Sequence, residues 1–291
     1  MKPMIKWTAL ALAVCLPLSA QAHRAWMLPS ATVLSGEDPW VTVDAAVSND
    51  VFYFEHFPLR LKGIGDLDKA PAGGPQGMRP RPVPELQLIA PDGSQLKAEN
   101  GNLGRYRSTF DLHLTQKGTY KLAVANEGLF ASWKDNGETR RWMGKADNFA
   151  KDVPANAEGL KVSQTSNRME VFVTSGNPTE EVLKPTGKGL ELSPVTHPND
   201  LFAGEAAEFV FLLDGKPAAG VEISVIPGGN RYRDDLGEIN AKTDAQGKVS
   251  ITWPQAGMYW LEAELKTDKG VSKPATERRA SYSATLEVLP Q

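Results

Sequence analysis

Short stretches of alternating apolar and polar residues, separated by turns rich in glycine and proline, constrain the fold of this chain most. Segment 40–47, with the sequence WVTVDAAV, alternates, with apolar residues at 41, 43, 45 and 47. Similar runs occupy 85–90, 118–124, 168–173 and 209–213. Period-two alternation with β-branched residues predicts strands with one buried face. One short helical piece is expected, around 145–151. The sequence therefore predicts an all-β fold.

The turn signals also predict two domains. Residues 174–188 carry two glycines and two prolines and are expected to form a linker or crossover. Before it, residues 23–188 are predicted to form an N-terminal β-sandwich with two long irregular segments, 62–84 and 134–160. After it, residues 189–291 are predicted to form an immunoglobulin-like or transthyretin-like β-sandwich. A larger single β domain is the alternative.

Residues 1–22 have the pattern of a secretory signal peptide. Lys2 and Lys6 precede an apolar run over 7–18, and Ala20 and Ala22 supply small residues before a cleavage site. The run is too short to span a bilayer. We expect export to the periplasm, cleavage after Ala22, and a mature chain that begins at His23 with no transmembrane segment.

Two other forms of processing remain open at this point. Cleavage after Ala20 would leave His23 at position three, where the amine, two amide nitrogens and the imidazole form a square-planar site for Cu(II) or Ni(II). That cut places bulky Leu18 where a small residue is needed. A lipoprotein signal would acylate Cys15, but Val14 is not the small residue expected before such a cysteine.

Charge and cysteine content narrow the chemistry of the mature chain. Without Lys2 and Lys6, the 32 basic residues fall to 30 against 35 acidic residues, a formal net charge of −5. This balance gives no indication of nucleic-acid binding. Cys15, the only cysteine, lies in the predicted signal peptide, so thiolate metal sites are excluded. A metal site must use histidine, carboxylate, methionine or the amino terminus.

His23 is the sharpest candidate ligand, because as the first residue it offers its α-amine and its ring nitrogen to one ion. A second imidazole would complete a three-nitrogen arrangement, the histidine brace, which suits Cu(II) and Ni(II). His56 is predicted to supply it, at the end of a strand expected over 51–54, with Glu55 as a further ligand or a partner of His56. Strand alternation would point Glu55 and His56 to opposite faces. Alternatively, His23 is a frayed end and His56 an edge histidine.

The other two histidines are weaker candidates for metal ligands. His113 follows Asp111 on what is expected to be a solvated strand face, and His197 opens the second module in a turn sequence. The aromatic residues Trp26, Trp40, Phe52, Tyr53, Phe54 and Phe57 are expected to be sandwich core. No nucleophile elbow, phosphate loop or zinc-hydrolase helix is present, so no catalytic activity is predicted.

The chain resembles the domain of unknown function 4198 family in three places. These are residues 22–30, residues 43–56 and the C-terminal pair 211–218 and 243–247. That family is often described as a periplasmic component of nickel or cobalt uptake. The resemblance implies that His23, Glu55 and His56 are functional residues and that the metal carried is nickel or cobalt.

Together these features predict a periplasmic protein that binds nickel, cobalt or copper and delivers it to a membrane transporter. A non-catalytic interaction module of an envelope complex is the alternative, and a copper oxidative enzyme built on the same ligands is a third.

Overall fold

The structure is a computed structural model, and it describes residues 23–67 and 83–291. The predicted signal peptide lies outside the described residues, as does most of the irregular segment predicted for 62–84. At its edges, Lys62 and Glu85 form an isolated parallel bridge. Among the described residues, no helix is long and apolar enough to cross a membrane.

The described residues are mostly strands. The strands are β1 (Arg24–Pro29), β2 (Val33–Leu34), β3 (Trp40–Ser48), β4 (Phe57–Pro58), β5 (Leu86–Ile89), β6 (Gln95–Leu96), β7 (Glu99–Leu103), β8 (Ser108–His113), β9 (Gly118–Asp135), β10 (Glu138–Gly144), β11 (Glu158–Ser175), β12 (Leu190–Pro194), β13 (Ala206–Leu213), β14 (Lys216–Pro217), β15 (Glu222–Pro227), β16 (Ile239–Lys242), β17 (Lys248–Thr252), β18 (Gly257–Thr267) and β19 (Glu277–Val288). One α-helix, α1 (Ala146–Asp152), and two 3-10 turns, Glu181–Leu183 and Asn230–Tyr232, complete the described structure. The prediction of an all-β fold is confirmed.

The N-terminal half is a sandwich of two layers whose strands pair antiparallel, except that β2 pairs in parallel with β11. One sheet has the order β1-β3-β8-β7, with β4 paired to the end of β3. The opposing layer consists of β6, β5, β9 and β11, with β10 and β2 at its margins. Alternation in β3 places Val41, Val43 and Ala45 in the core between the layers. Each fully buried valine contributes about 1.5–3 kcal/mol relative to an exposed one.

The C-terminal half is an immunoglobulin-like sandwich. Strands β12, β13 and β17 form one sheet, with the short β14 beside β13, and they face the order β16-β15-β18-β19. A core containing Phe209, Phe211, Trp253, Tyr259 and Tyr282 fills the space between them. The two sheets and their cross-over connections match the architecture of this class of sandwich.

A continuous sheet joins the two halves, because β11 pairs in parallel with β19 from Ser163 beside Glu277 to Val171 beside Thr285. The predicted boundary after residue 188 falls between the two large cores. A smaller core crosses it, with Trp26, Ala46 and Val51 packed on Ile226 and Trp260.

A buried ionic cluster lies at the same junction. Arg168 of β11 contacts Glu170 at 3.1 Å and Glu191 of β12 at 3.3 Å, and all three side chains are at most 8% exposed. The Tyr282 hydroxyl donates to Glu170. Oε1 of Glu191, which contacts Arg168, also accepts the Thr186 amide, and Oε2 accepts the amides of Gly187 and Lys188. The cluster therefore holds the start of the second half against β11.

One local prediction is wrong. Residues 51–54 form a turn instead of a strand, because Phe52 adopts φ +61° and the Tyr53 amide donates to the Asp50 carbonyl. After this turn, Pro58 lies opposite Ala46 in the two-residue strand β4, as an edge strand permits.

The segment 134–160 is more regular than predicted. Strands β9 and β10 form a hairpin in which Glu138 lies opposite Asp135 and Gly144 opposite Leu129. Helix α1 confirms the short helical piece. Strand β10 is not evident from the sequence because most of its residues are exposed and several are charged, although Trp142 is buried there.

Candidate metal centre

The end of β3 brings the two predicted metal-binding histidines together. Val47 of β3 lies opposite Ala25 of β1 on one side and opposite Phe57 of β4 on the other. His23 directly precedes β1 and His56 directly precedes β4. Their ring centroids are 4.3 Å apart, and the rings are tilted by 31°. The Phe57 ring stacks on His23 at 5.5 Å and closes one side of the pair.

Glu55 lies beside the two rings. Its Oε1 accepts the backbone amides of Asn49 at 2.9 Å and Asp50 at 3.4 Å, and the same oxygen is 3.7 Å from Nε2 of His56. The expectation that strand alternation would separate Glu55 from His56 is wrong, because residues 55 and 56 follow a turn and are not in a strand. The carboxylate is within reach of the imidazole while it also organises the turn.

Nε2 of His56 is buried and has no hydrogen-bond partner within residues 23–67 and 83–291. A buried polar atom without a partner is unfavourable unless something else satisfies it. A metal ion would do so. With nitrogen–metal bonds of about 2 Å, two imidazoles on one ion have centroids no more than about 6 Å apart. The observed 4.3 Å fits this limit.

Side chains alone do not complete the ligand set. Within the described part of the chain, no group of three His, Cys, Asp or Glu side chains is placed to hold a metal ion. The α-amine of His23, if freed by cleavage, would be the third nitrogen, and the Glu55 carboxylate lies 3.7 Å from Nε2 of His56. The residues present would therefore fit a nitrogen-rich transition-metal site only if the chain were cleaved directly before His23.

The other two histidines lie elsewhere with partners of their own. His113 stacks on Trp40 with centroids 4.2 Å apart and contacts Asp38 at 2.5 Å. His197 lies within hydrogen-bond distance of Thr119 and of the Thr179 carbonyl, and its Nδ1 accepts the Asn199 amide. Burial lowers the pKa of His197. Its ring is a structural bridge between the halves.

The aromatic residues around the site divide between core and surface. Trp26 is buried, with Phe52 at 5.5 Å and Phe54 at 5.3 Å. Trp40 and Phe57 are 39% and 38% exposed, so their prediction as core is wrong. Phe57 instead covers the His23 ring.

Residues from the C-terminal half also surround the site, and sequence reasoning missed them. Asn230 donates to Asp50 across a sequence separation of 180 residues. Arg24 donates to the Asn49 carbonyl and lies over the Trp260 ring. Only the tertiary fold brings these residues together, and no local motif indicates it.

Glu262 of β18 lies near Arg24 and has an unusual pKa. Burial, reinforced by the charge of Glu264 and opposed by Arg24, raises the pKa of Glu262 from 4.5 to about 7. The folded protein therefore binds this proton more tightly than the unfolded chain does. Its free energy of unfolding falls as the pH rises from about 4.5 to about 7 because of this group.

We expect Glu262→Gln to remove this dependence of the free energy of unfolding on pH. It should also stabilise the protein by about 2 kcal/mol at pH 8, allowing for partial solvent exposure. Urea unfolding of both proteins at pH 5 and pH 8 measures the difference. Glu264→Gln is the matched control: it should shift the slope to lower pH without abolishing it. Equal pH dependence in Glu262→Gln and the unchanged protein would contradict the assignment.

The fold and site describe an all-β protein of two joined sandwiches with paired imidazoles at a strand end. Residues 20–267 match the family described as Domain of unknown function (DUF4198), and the chain belongs to that family. No curated protein matches it. The D0-D1 domain of intimin is similar at 12% identity over 90% of this chain and 97% of its own, with a TM-score of 0.21. The native conformation of E. coli alpha-2-macroglobulin is similar at 12% identity over 94% of this chain and 14% of its own, with a TM-score of 0.23.

Proposed function

We propose that this protein is exported to the periplasm, begins at His23 after cleavage, and captures one nickel, cobalt or copper ion for delivery to a membrane transporter. The observation that carries the proposal is that the His23 and His56 rings lie side by side, with Nε2 of His56 buried and without a hydrogen-bond partner among the described residues. His23 and His56 lie side by side because the strands that follow them, β1 and β4, both pair with β3.

The ligand chemistry supports a borderline transition metal. Imidazole and amine nitrogens suit nickel and copper, and copper has the higher affinity for a given nitrogen site. The α-amine must lose its proton to coordinate, so binding is expected to weaken as the pH falls and to release protons. Cleavage of the signal peptide would create the site, which keeps the unprocessed chain from binding metal in the cytoplasm.

The site also has features suited to cargo exchange. His23 is exposed, and Phe57 beside it is 38% exposed, so the ion would lie near the surface. A receiving protein could then approach with its own ligands. Glu55, held by two backbone amides, supplies a negative charge that favours the bound cation.

The experiment that tests this function is metal titration of protein recovered from the periplasm, after intact mass has established its first residue. We expect a chain that begins at His23 and binds one Ni(II), Co(II) or Cu(II) ion per molecule. A chain with a short Gly-Ser extension before His23 is the matched control, because its amine is no longer at residue 23.

Three outcomes distinguish the alternatives. No binding at micromolar metal, or a mature chain that starts elsewhere, would contradict the proposal and favour an interaction module. Oxygen consumption by the copper form with a reductant would indicate an oxidative enzyme. Metal bound by the protein and accepted by membranes that contain the transporter would support delivery.

A further inference from the structure

The segment that carries Glu55 and His56 is held in place by the C-terminal half. We call residues 49–56 the metal loop and residues 228–231 the clamp segment. The loop leaves β3 at Ser48 and contains the αL residue Phe52. A non-glycine residue in this conformation costs free energy, and the surrounding contacts must hold it.

Three contacts join the clamp segment to the metal loop. Nδ2 of Asn230 donates to Oδ1 of Asp50 at 3.0 Å. The Arg231 guanidinium lies 3.9 Å from the centre of the Tyr53 ring. Phe52 lies so close to Gly228 that a Cβ added there would be 3.1 Å from the ring.

The contact between Asn230 and Asp50 is connected to the candidate ligand Glu55 through the backbone of Asp50. The amide of Asp50 is one of the two that bind Oε1 of Glu55, and its carbonyl accepts the Ser48 hydroxyl. Asp50 is thus bonded to Asn230 through its side chain and to Glu55 through its backbone. A chain of contacts therefore runs from Asn230 through Asp50 to the Glu55 carboxylate, which lies 3.7 Å from His56.

The clamp segment is itself fixed within the C-terminal half. Arg233 donates to the carbonyls of Gly228, Pro227 and Leu236, and the Gly228 amide donates to Met258 of β18. Asn230 is only 6% exposed. These bonds fix the clamp segment to β18 and to its own neighbours in the chain. The metal loop packs against the segment held in this way.

From these contacts we propose that Asn230 and Arg231 are positioning residues for the metal site, so that the C-terminal half sets the metal affinity of ligands carried by the N-terminal half. The proposal rests on the metal-binding function proposed above. By thermodynamic reciprocity, an ion bound at His23 and His56 must strengthen the contact between the loop and the clamp by the same factor.

The test is Cu(II) titration of the protein that begins at His23, with the variants Asn230→Ala and Arg231→Ala. Each removes one contact to the loop, and we expect Cu(II) affinity about three- to tenfold weaker. The electron paramagnetic resonance spectrum of bound Cu(II) should also change, because the ligands relax to another geometry. Tyr232→Ala is the matched control: Tyr232 is 84% exposed, and its replacement should leave affinity and spectrum unchanged.

Exchange of the two partners tests the hydrogen bond directly. Asp50→Asn combined with Asn230→Asp reverses donor and acceptor, and it should recover affinity lost in Asn230→Ala. Arg231→Lys keeps a cation over Tyr53 and should lose less affinity than Arg231→Ala. Both variants retain folded contacts, so they report on the proposal even if an alanine variant is unstable.

The outcomes separate this proposal from the function on which it rests. If His56→Ala loses Cu(II) but Asn230→Ala and Arg231→Ala bind with the affinity and spectrum of the unchanged protein, the positioning role is overturned and the metal site stands. If His56→Ala binds as well as the unchanged protein, the metal site itself fails. A lower melting temperature with unchanged affinity and spectrum would show a purely structural contact and would also overturn the positioning role.

Discussion

Replacing Arg168 by methionine is expected to lower the free energy of unfolding by about 3–5 kcal/mol. Arg168 is the cation between Glu170 and Glu191, whose side chains are 5% and 3% exposed. Methionine fills a similar volume but leaves two buried carboxylates without their positive partner. Removal of one member of a buried ionic cluster costs far more than the cluster as a whole contributes.

Urea unfolding of Arg168→Met at neutral pH measures this cost. Arg279→Met is the matched control, because Arg279 pairs with Glu277 at 2.7 Å while 57% exposed, and an exposed pair contributes about 0–1 kcal/mol. Adding Glu170→Gln to Arg168→Met should recover part of the loss, since it removes one uncompensated charge and can still accept from Tyr282. Similar effects from Arg168→Met and Arg279→Met would contradict the electrostatic explanation.

The fold class was predictable because alternation records burial directly. Val41, Val43 and Ala45 are spaced by two residues, and all three are fully buried. The turn at residues 51–54 was not predictable in this way. Its apolar residues look like a strand, but Phe52 and Phe54 pack on Trp26 in a core shared with the C-terminal half. Tertiary packing decides the conformation there.

The joining of the two halves could not be read from the sequence either. The pairing of Ser163 with Glu277 and of Val171 with Thr285 joins strands that are 114 residues apart in the sequence. Glu191 lies in β12, three residues after the predicted linker, and its role in the buried cluster depends on Arg168 from the preceding half. The sequence around Glu191 gives no local indication of that partner.

The candidate site was partly predictable. The predicted cleavage site indicates His23, and the predicted strand end indicates His56. The structure places their rings 4.3 Å apart. The strand expected before His56 was wrong, yet the two-residue strand after it leads to the same meeting point. The support from Asn230 was not predictable, because a lone asparagine so distant in sequence has no pattern that links it to Asp50.

Replacing His56 by alanine is expected to weaken Cu(II) binding by the mature protein about a hundredfold or more. Loss of a residue that only supports a ligand typically costs about 10- to 100-fold in affinity, and loss of a ligand should cost at least as much. The remaining chelate at His23 would hold the ion through two nitrogens. His23→Ala should cost a similar factor, because it keeps the amine but removes the ring that contacts His56.

Isothermal titration with a competing chelator measures these affinities. His113→Ala is the matched control, since His113 is bound to Asp38 and stacked on Trp40, and it should bind as tightly as the unchanged protein. Glu55→Gln separates the charge of Glu55 from its support of the loop, because the amide oxygen can still accept from Asn49. If His23→Ala loses binding but His56→Ala does not, the terminal chelate acts alone, and the strand pairing at β3 has no part in holding the metal.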